Sequence, residues 1–181
     1  AGVHFVTPAV AYAVGNSGLL AKSTDGGLNW TAISNPLFSN AKSINTVYFV
    51  NKDTGYIAGQ PNGTDPAPKL YFTRNGGSTW DSIAAPVGPK TRIGYVNNPT
   101  RPAELVDVTA AGKEIYKIIF VNDSVGYIAG SGTNSLPYTN VSGGTSTTSG
   151  GSACLLWKFE KGRLTDYSLS KERTGFTGVN T

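Results

Sequence analysis

Ser23-Thr24-Asp25-Gly26-Gly27-Leu28-Asn29-Trp30 decides how the chain is read, because it returns, altered, as Thr73-Arg74-Asn75-Gly76-Gly77-Ser78-Thr79-Trp80. Both fit one pattern: Ser or Thr, any residue, Asp or Asn, any, Gly, any, any, Trp. The spacing suits a β-hairpin turn. An Asp or Asn side chain accepts hydrogen bonds from nearby backbone N–H groups, and the glycines permit positive φ. The hydroxyl of Ser23 or Thr73 is placed to hold the first arm, and Trp30 or Trp80 to start the returning strand. This is a folding device with no evident chemistry of its own.

A second repeat surrounds it. Phe5-Val6 precedes Tyr12-Ala13-Val14-Gly15, Phe49-Val50 precedes Tyr56-Ile57-Ala58-Gly59, and Phe120-Val121 precedes Tyr127-Ile128-Ala129-Gly130. The Phe-to-Tyr interval is seven residues each time, with turn residues such as Asn51-Lys52-Asp53-Thr54-Gly55 between. Recurring at fixed repeat positions, Phe5, Phe49, Phe120, Tyr12, Tyr56 and Tyr127 are expected in the core. After each Tyr-x-x-Gly strand come a loop and a third strand (Leu19–Lys22, Leu70–Thr73, Leu155–Phe159). A turn and a fourth strand follow (Trp30–Ile33, Trp80–Ile83, Leu164–Leu169). Four short hairpin-connected strands per unit make a β-propeller blade. The first interval, Phe5 to Phe49, is 44 residues, inside the propeller period of about 40–45.

The expected fold is therefore all-β, with about three blades of four antiparallel strands at residues 3–40, 41–86 and 114–170. Insertions are expected at 60–69, 84–113 and 131–152. Within the second, Ile93–Val96 and Glu104–Thr109 read as short extra strands. The third is a Gly/Ser/Thr tract whose low-complexity composition argues for a flexible loop. The third repeat lacks the Asp-type turn, and Lys161-Gly162 reads as a tight two-residue hairpin instead. Residues 174–181 read as the approach to a further blade: Gly178-Val179-Asn180-Thr181 parallels Ser43-Ile44-Asn45-Thr46. Three blades leave sheet faces uncovered, so the expectation is a segment of a propeller of about seven blades. The remaining blades would come from the same chain or from a neighbouring subunit.

Composition agrees with an all-β chain. Among 181 residues there are 23 Gly and 10 Pro, no Met, and 14% charged residues. No stretch sustains a helical apolar period. The formal net charge of +4 comes from scattered Lys and Arg, without the basic, aromatic-interleaved run of a nucleic-acid surface. No run of 18 apolar residues predicts membrane insertion. Cys154 is the single cysteine, so neither an intrachain disulfide nor a cysteine-rich metal site is expected. The composition predicts no cofactor. Four Asn-x-Ser/Thr sequons, at Asn29, Asn62, Asn122 and Asn140, match chance in so Asn-, Ser- and Thr-rich a chain and do not show glycosylation.

The run Val3–Ile33, with Phe5, Tyr12-Ala13-Val14-Gly15, Gly18-Leu19-Leu20 and the Ser23–Trp30 turn, resembles the repeat of YCF48-like proteins. These belong to the wider group of Asp-box (BNR-type) propellers, which includes sortilin-type receptors, sialidases and xyloglucanase-type glycoside hydrolases. The resemblance places the Asp-box positions on Ser23, Asp25, Gly27 and Trp30, then on Thr73, Asn75, Gly77 and Trp80. It implies a structural turn at the blade periphery, away from the central site. Asn75 in place of Asp, and Asn29 in place of the usual Ser or Thr before Trp, are mild departures. Such repeats occur in photosystem assembly factors and in exported bacterial surface proteins. The long insertions favour the latter, hence an expected location outside the cell, on its surface or in the periplasm.

Two functions follow as expectations. The first is a non-catalytic binding or scaffolding propeller that contacts a protein or glycan partner through inserted loops, with Arg92, Tyr95, Arg101 and Tyr138 as contact residues. The alternative is a sialidase- or xyloglucanase-like glycoside hydrolase whose catalytic groups lie largely in other blades. Glycoside hydrolysis needs two carboxylates across a sugar. Asp25, Asp53, Asp65 and Asp123 are explained by turn chemistry alone. Sialidases also need three rim arginines and an Arg-Ile-Pro motif, to which Arg92-Ile93-Gly94 is a poor match. His4, the single histidine, stands beside no nucleophile motif, so a surface or packing role is expected and no residue is assigned as catalytic.

Overall fold

The computed structural model describes residues 1–62, 69–84, 86, 90–93, 104–107, 110–139 and 145–167. Three sheets follow one another along the chain, each of four antiparallel strands laid side by side in sequence order. The first holds β1 (Gly2–Phe5), β2 (Ala11–Val14), β3 (Leu20–Ser23) and β4 (Thr31–Ala32). The second holds β5 (Ser43–Phe49), β6 (Gly55–Gln60), β7 (Lys69–Thr73) and β8 (Asp81–Ala84). A separate two-stranded ribbon, β9 (Lys90–Ile93) with β10 (Glu104–Asp107), precedes the third sheet. That sheet holds β11 (Ala110–Asn122), β12 (Val125–Thr139), β13 (Thr145–Glu160) and β14 (Arg163–Asp166). These are propeller blades: meandering four-stranded sheets, one per repeat.

The repeated residues explain the repeated geometry. Two residues after each repeat Phe stands an oxygen-bearing side chain that caps the first hairpin turn. Thr7 Oγ1 accepts from the Val10 N–H at 3.0 Å. Asn51 Oδ1 accepts from the N–H groups of Asp53 and Thr54 at 3.0 and 2.8 Å, and Asn122 Oδ1 from those of Ser124 and Val125 at 2.9 Å each. Across the strands Phe49 pairs with Gly55 and Phe120 with Gly126, so each ring lies over a residue without a side chain. The glycine closing Tyr-x-x-Gly has a different reason. A Cβ on Gly59 would sit 2.1 Å from the Ser43 carbonyl oxygen, and one on Gly130 the same distance from that of Glu114. The inner strand passes too close for any side chain there.

The Gly/Ser/Thr tract at 131–152 departs from the flexible loop that its composition predicts. Residues 131–139 and 145–152 extend β12 and β13 as an antiparallel ladder, from Ser131↔Cys154 to Thr139↔Thr145, with one register shift between Thr133 and Ser135. Backbone hydrogen bonds, which need no apolar side chains, carry a strand pair onward once the flanking strands have set its register. The end of the third sheet follows expectation. Lys161 and Gly162 both have positive φ (50° and 79°), the geometry of a tight hairpin whose twist matches its strands. The short strand expected at 93–96 lies earlier, as β9, and residues 174–181 fall outside the described residues.

The core lies between neighbouring sheets. One cluster joins Tyr12, Val14 and Leu20 of the first sheet to Ile44, Val47, Phe49 and Ile57 of the second, closed by Phe38 and Trp80. The other joins Tyr56, Ala58 and Leu70 of the second to Ile115, Ile118, Phe120, Ile128, Leu155, Trp157 and Phe159 of the third. Each fully buried side chain of this size contributes about 1.5–3 kcal/mol of transfer free energy. Phe5 and Tyr127, expected in the core by their repeat positions, are 52% and 40% exposed. Their counterparts are covered by an adjacent sheet: Phe49 and Tyr12 are only 4% and 0% exposed. A repeat position is buried only where a neighbouring blade faces it.

Candidate functional site

The two Asp-type turns are built from the same hydrogen bonds. In the first, Ser23 Oγ donates to Asp25 Oδ1 (2.8 Å) and accepts from the Gly27 N–H (2.9 Å). Asp25 Oδ1 also accepts from the Asn29 N–H (2.9 Å), and Oδ2 from the Asn29 side-chain amide (2.7 Å). These donors hold the Asp25 carboxyl well down, at a pKa of about 2, the Asn29 backbone N–H being the largest cause. Trp30 Nε1 closes the turn on the Gly27 carbonyl at 3.0 Å.

In the second turn Thr73 Oγ1 donates to Asn75 Oδ1 (3.0 Å) and accepts from the Gly77 N–H (2.9 Å), while Trp80 Nε1 donates to the Gly77 carbonyl (3.1 Å). Asn75 Oδ1 accepts from the Thr79 N–H (2.8 Å), and the Asn75 amide donates to Thr79 Oγ1 (2.8 Å). The two departures from the usual pattern therefore compensate within each turn. An acceptor at Asp25 meets a donor at Asn29; a donor at Asn75 meets an acceptor at Thr79. Glycines with φ of 74° and 91° (Gly26, Gly27) and of 63° and 83° (Gly76, Gly77) carry the bends.

The second turn is also part of a seam between sheets. The Tyr12 phenol donates to the Gly76 carbonyl at 2.6 Å, and Lys22 Nζ donates to the same oxygen at 3.0 Å. Tyr12 and Lys22 are cross-strand partners, and the ammonium lies 5.3 Å from the centre of the Tyr12 ring. That ring stacks on Phe49 at 4.0 Å. The next seam repeats the ring pair, with Tyr56 stacked on Phe120 at 4.7 Å. Asn45 adds a polar link there, donating to Glu114 Oε1 (2.8 Å) and to the Ile115 carbonyl (2.9 Å). The sequence marked these tyrosines as core but did not reveal the Tyr12–Lys22 clamp or Asn45; Lys22 lies on β3 of one sheet and grips the turn after β7 of the next, with no local spacing to announce it.

His4 packs in the first seam. Its Nε2 donates to the Phe49 carbonyl at 3.1 Å and its ring lies 4.8 Å from Tyr48. Burial holds its pKa below the usual value, partly offset by the Phe49 bond, with the Lys117 charge adding to the lowering. Several carboxylates have structural engagements: Asp25 in its turn, Glu114 with Asn45, and Glu160 with Lys158 at 3.0 Å. A recess of about 260 Å³ beside the first turn is lined by Lys22, Thr24, Asp25, Asn29, Thr31 and Ile33. Among the described residues, no group of three or more His, Cys, Asp or Glu side chains gathers for a metal, and no helix is long and apolar enough to cross a membrane.

Of the expected contact residues, Arg92 lies on β9 and Tyr138 on β12. Tyr95 and Arg101 lie outside the described residues. The structure places Arg92 and Tyr138 on two different hairpin ribbons.

Comparison with known proteins adds the family. A family model described as "Photosynthesis system II assembly factor YCF48" matches residues 1–93, which span the first two sheets and β9. The chain belongs to this family. Its YCF48 membership corrects the expected bacterial surface, secreted or periplasmic location: the family is that of a photosystem assembly factor, not of cell-surface proteins. Long insertions, the feature that suggested a surface protein, are a poor guide to compartment, because loops vary freely on a fixed scaffold. A solved structure described as "YCF48 bound to D1 peptide" is similar at 18% identity and a TM-score of 0.49, over 94% of this chain and 53% of that one. The chain spans about half the length of that structure. No curated protein matches the chain.

Proposed function

We propose that this chain is a non-catalytic binding segment of an assembly factor that holds a peptide of a protein partner. The observation that carries the reading is the YCF48 family match over residues 1–93. The name of a solved relative, bound to a D1 peptide, supports a photosystem subunit as the class of partner. The geometry is suited to such work: beside the three packed sheets stand two ribbons, β9–β10 and the outer part of β12–β13. Arg92 and Tyr138 belong to the residue types that anchor interfaces. A ribbon edge also offers backbone groups for pairing with an extended peptide.

The test is a titration of the 181-residue chain against a fluorescently labelled D1 peptide, beside the Arg92→Ala and Tyr138→Ala variants. Saturable binding, weakened severalfold by either substitution, is the expected result. Failure to bind the peptide, together with capture or turnover of glycans, would overturn the reading.

A further inference from the structure

We propose that Asn75-Gly76 is a latent self-modification site, kept unreactive by the seam between the first and second sheets and released to deamidate when that seam opens. The pair is one of two Asn-Gly sequences in the chain, the other being Asn62-Gly63. An asparagine before glycine can react with its own backbone, because the following residue has no side chain to hinder the approach. The Gly76 nitrogen gives up its proton and bonds to Asn75 Cγ; the Cγ–Nδ2 bond breaks and ammonia leaves. Water then opens the resulting five-membered imide at one of its two carbonyl carbons. Opening at Cγ gives aspartate. Opening at the main-chain carbon gives isoaspartate, whose backbone runs through Cβ and Cγ.

Both reacting groups are tied in the closed structure. The Gly76 N–H donates to the Asp53 carbonyl at 2.9 Å. Asn75 Oδ1 accepts from Thr73 Oγ1 (3.0 Å) and the Thr79 N–H (2.8 Å), and Nδ2 donates to Thr79 Oγ1 (2.8 Å). The Gly76 carbonyl is gripped from the first sheet by Tyr12 and Lys22, at 2.6 and 3.0 Å. Ring closure must swing Cγ onto the nitrogen, which breaks the Thr79 and Asp53 bonds and shifts the gripped glycine. Asn75 is exposed, so water reaches it without any opening; the bonds, not burial, restrain the reaction. The two products then part ways. Aspartate at position 75 suits the turn, as Asp25 shows in the first turn, because the Thr79 hydroxyl can rotate from acceptor to donor. Isoaspartate lengthens the backbone by one carbon, about 1.5 Å, just before Gly76. The carbonyl then leaves the reach of Tyr12 and Lys22, and an opening of the seam is recorded permanently.

Peptide binding plays no part in this chemistry. The test ages the full chain, carrying Asn62→Gln to remove the other Asn-Gly pair, in mildly alkaline buffer and in urea. Peptide mapping by mass spectrometry follows the loss of ammonia and gain of water at position 75 and separates aspartate from isoaspartate. Conversion in buffer is expected to be at least about tenfold slower than in urea, since it must await local opening. Tyr12→Phe and Lys22→Gln each remove one grip on Gly76 and should speed conversion severalfold in buffer, with circular dichroism confirming that the sheets persist. Asn75→Asp should refold with the urea midpoint of the parent chain, whereas the isoaspartate fraction, isolated after ageing in urea, should refold with a lower one. Equal rates in buffer and urea would overturn the proposal. So would two grip variants that convert no faster than the parent, or an isoaspartate fraction with the parent midpoint.

Discussion

The Tyr12 phenol reaches out of the first sheet and donates a 2.6 Å hydrogen bond to the carbonyl of Gly76, the first glycine in the turn of the second. One bond thus couples the two features repeated in the sequence, the Tyr-x-x-Gly strand and the Asp-type turn. Tyr12 is fully buried, and its ring fills the space that opens over Gly77, 3.2 Å from where a Cβ would stand. Tyr12→Phe keeps the ring and removes the bond, leaving Lys22 as the remaining donor to that carbonyl. A loss of about 1 kcal/mol is expected in urea denaturation, with the slope unchanged. An unchanged midpoint would show that the bond contributes nothing to the seam.

The Tyr-x-x-Gly glycines should not behave alike. Gly59→Ala and Gly130→Ala drive a methyl to 2.1 Å from a backbone oxygen, whereas a Cβ on Gly15 meets only the Leu19 side chain at 3.5 Å. Backbone cannot give way as a side-chain tip does. The first two substitutions are expected to cost about 3 kcal/mol or more, and Gly15→Ala under about 1 kcal/mol. Thermal melts of the three variants, run together, check the order.

The two turns differ in how much depends on them. Thr73→Ala strands the Gly77 N–H in a buried site, while Ser23→Ala leaves the Gly27 N–H only partly buried. Thr73→Ala is expected to cost about 2 kcal/mol and Ser23→Ala about 1 kcal/mol. Thr73→Ser, which keeps the hydroxyl, should recover most of the loss. Denaturant titrations distinguish these outcomes.

Two groups predict how stability follows pH. The pKa of His4 is lowered on folding, so the unfolded chain binds its proton more readily. Its contribution is complete above the unfolded value of about 6.5 and is lost as pH falls from there toward the folded value. Asp25 is also lowered, to about 2 from 3.8. Its contribution is complete above the unfolded value and is lost as pH falls from 3.8 to about 2. Stability measured from pH 8 to 2 should therefore decline in two windows. His4→Gln should flatten the first, and Asp25→Asn the second.

Much of this fold was legible in the sequence because its period is carried by residues with strict local reasons. Gly59 and Gly130 are there for backbone clearance, Asn51 and Asn122 for turn capping, and Ser23 and Thr73 for their hydroxyls. What the repeats concealed is which copies of a position are covered. Phe5 and Phe49 read identically, yet only Phe49 has a tyrosine stacked on it. Composition misled at 131–139 and 145–152, where a Ser/Thr/Gly tract forms paired strand, since ladder hydrogen bonds depend on backbone. The partner surface was the least legible part. Arg92 and Tyr138 were singled out by residue type and position in insertions, and neither carries a spacing that would specify a ligand.

Neighbouring sheets are held as blades by a tyrosine of one stacked on a phenylalanine of the next. The most direct measurement is a double-mutant cycle on Tyr12 and Phe49, whose rings stand 4.0 Å apart, using leucine at each position to limit the loss of volume. The double variant is expected to lose less stability than the sum of the singles, with a coupling of about 1 kcal/mol. Strict additivity of the two substitutions would contradict it.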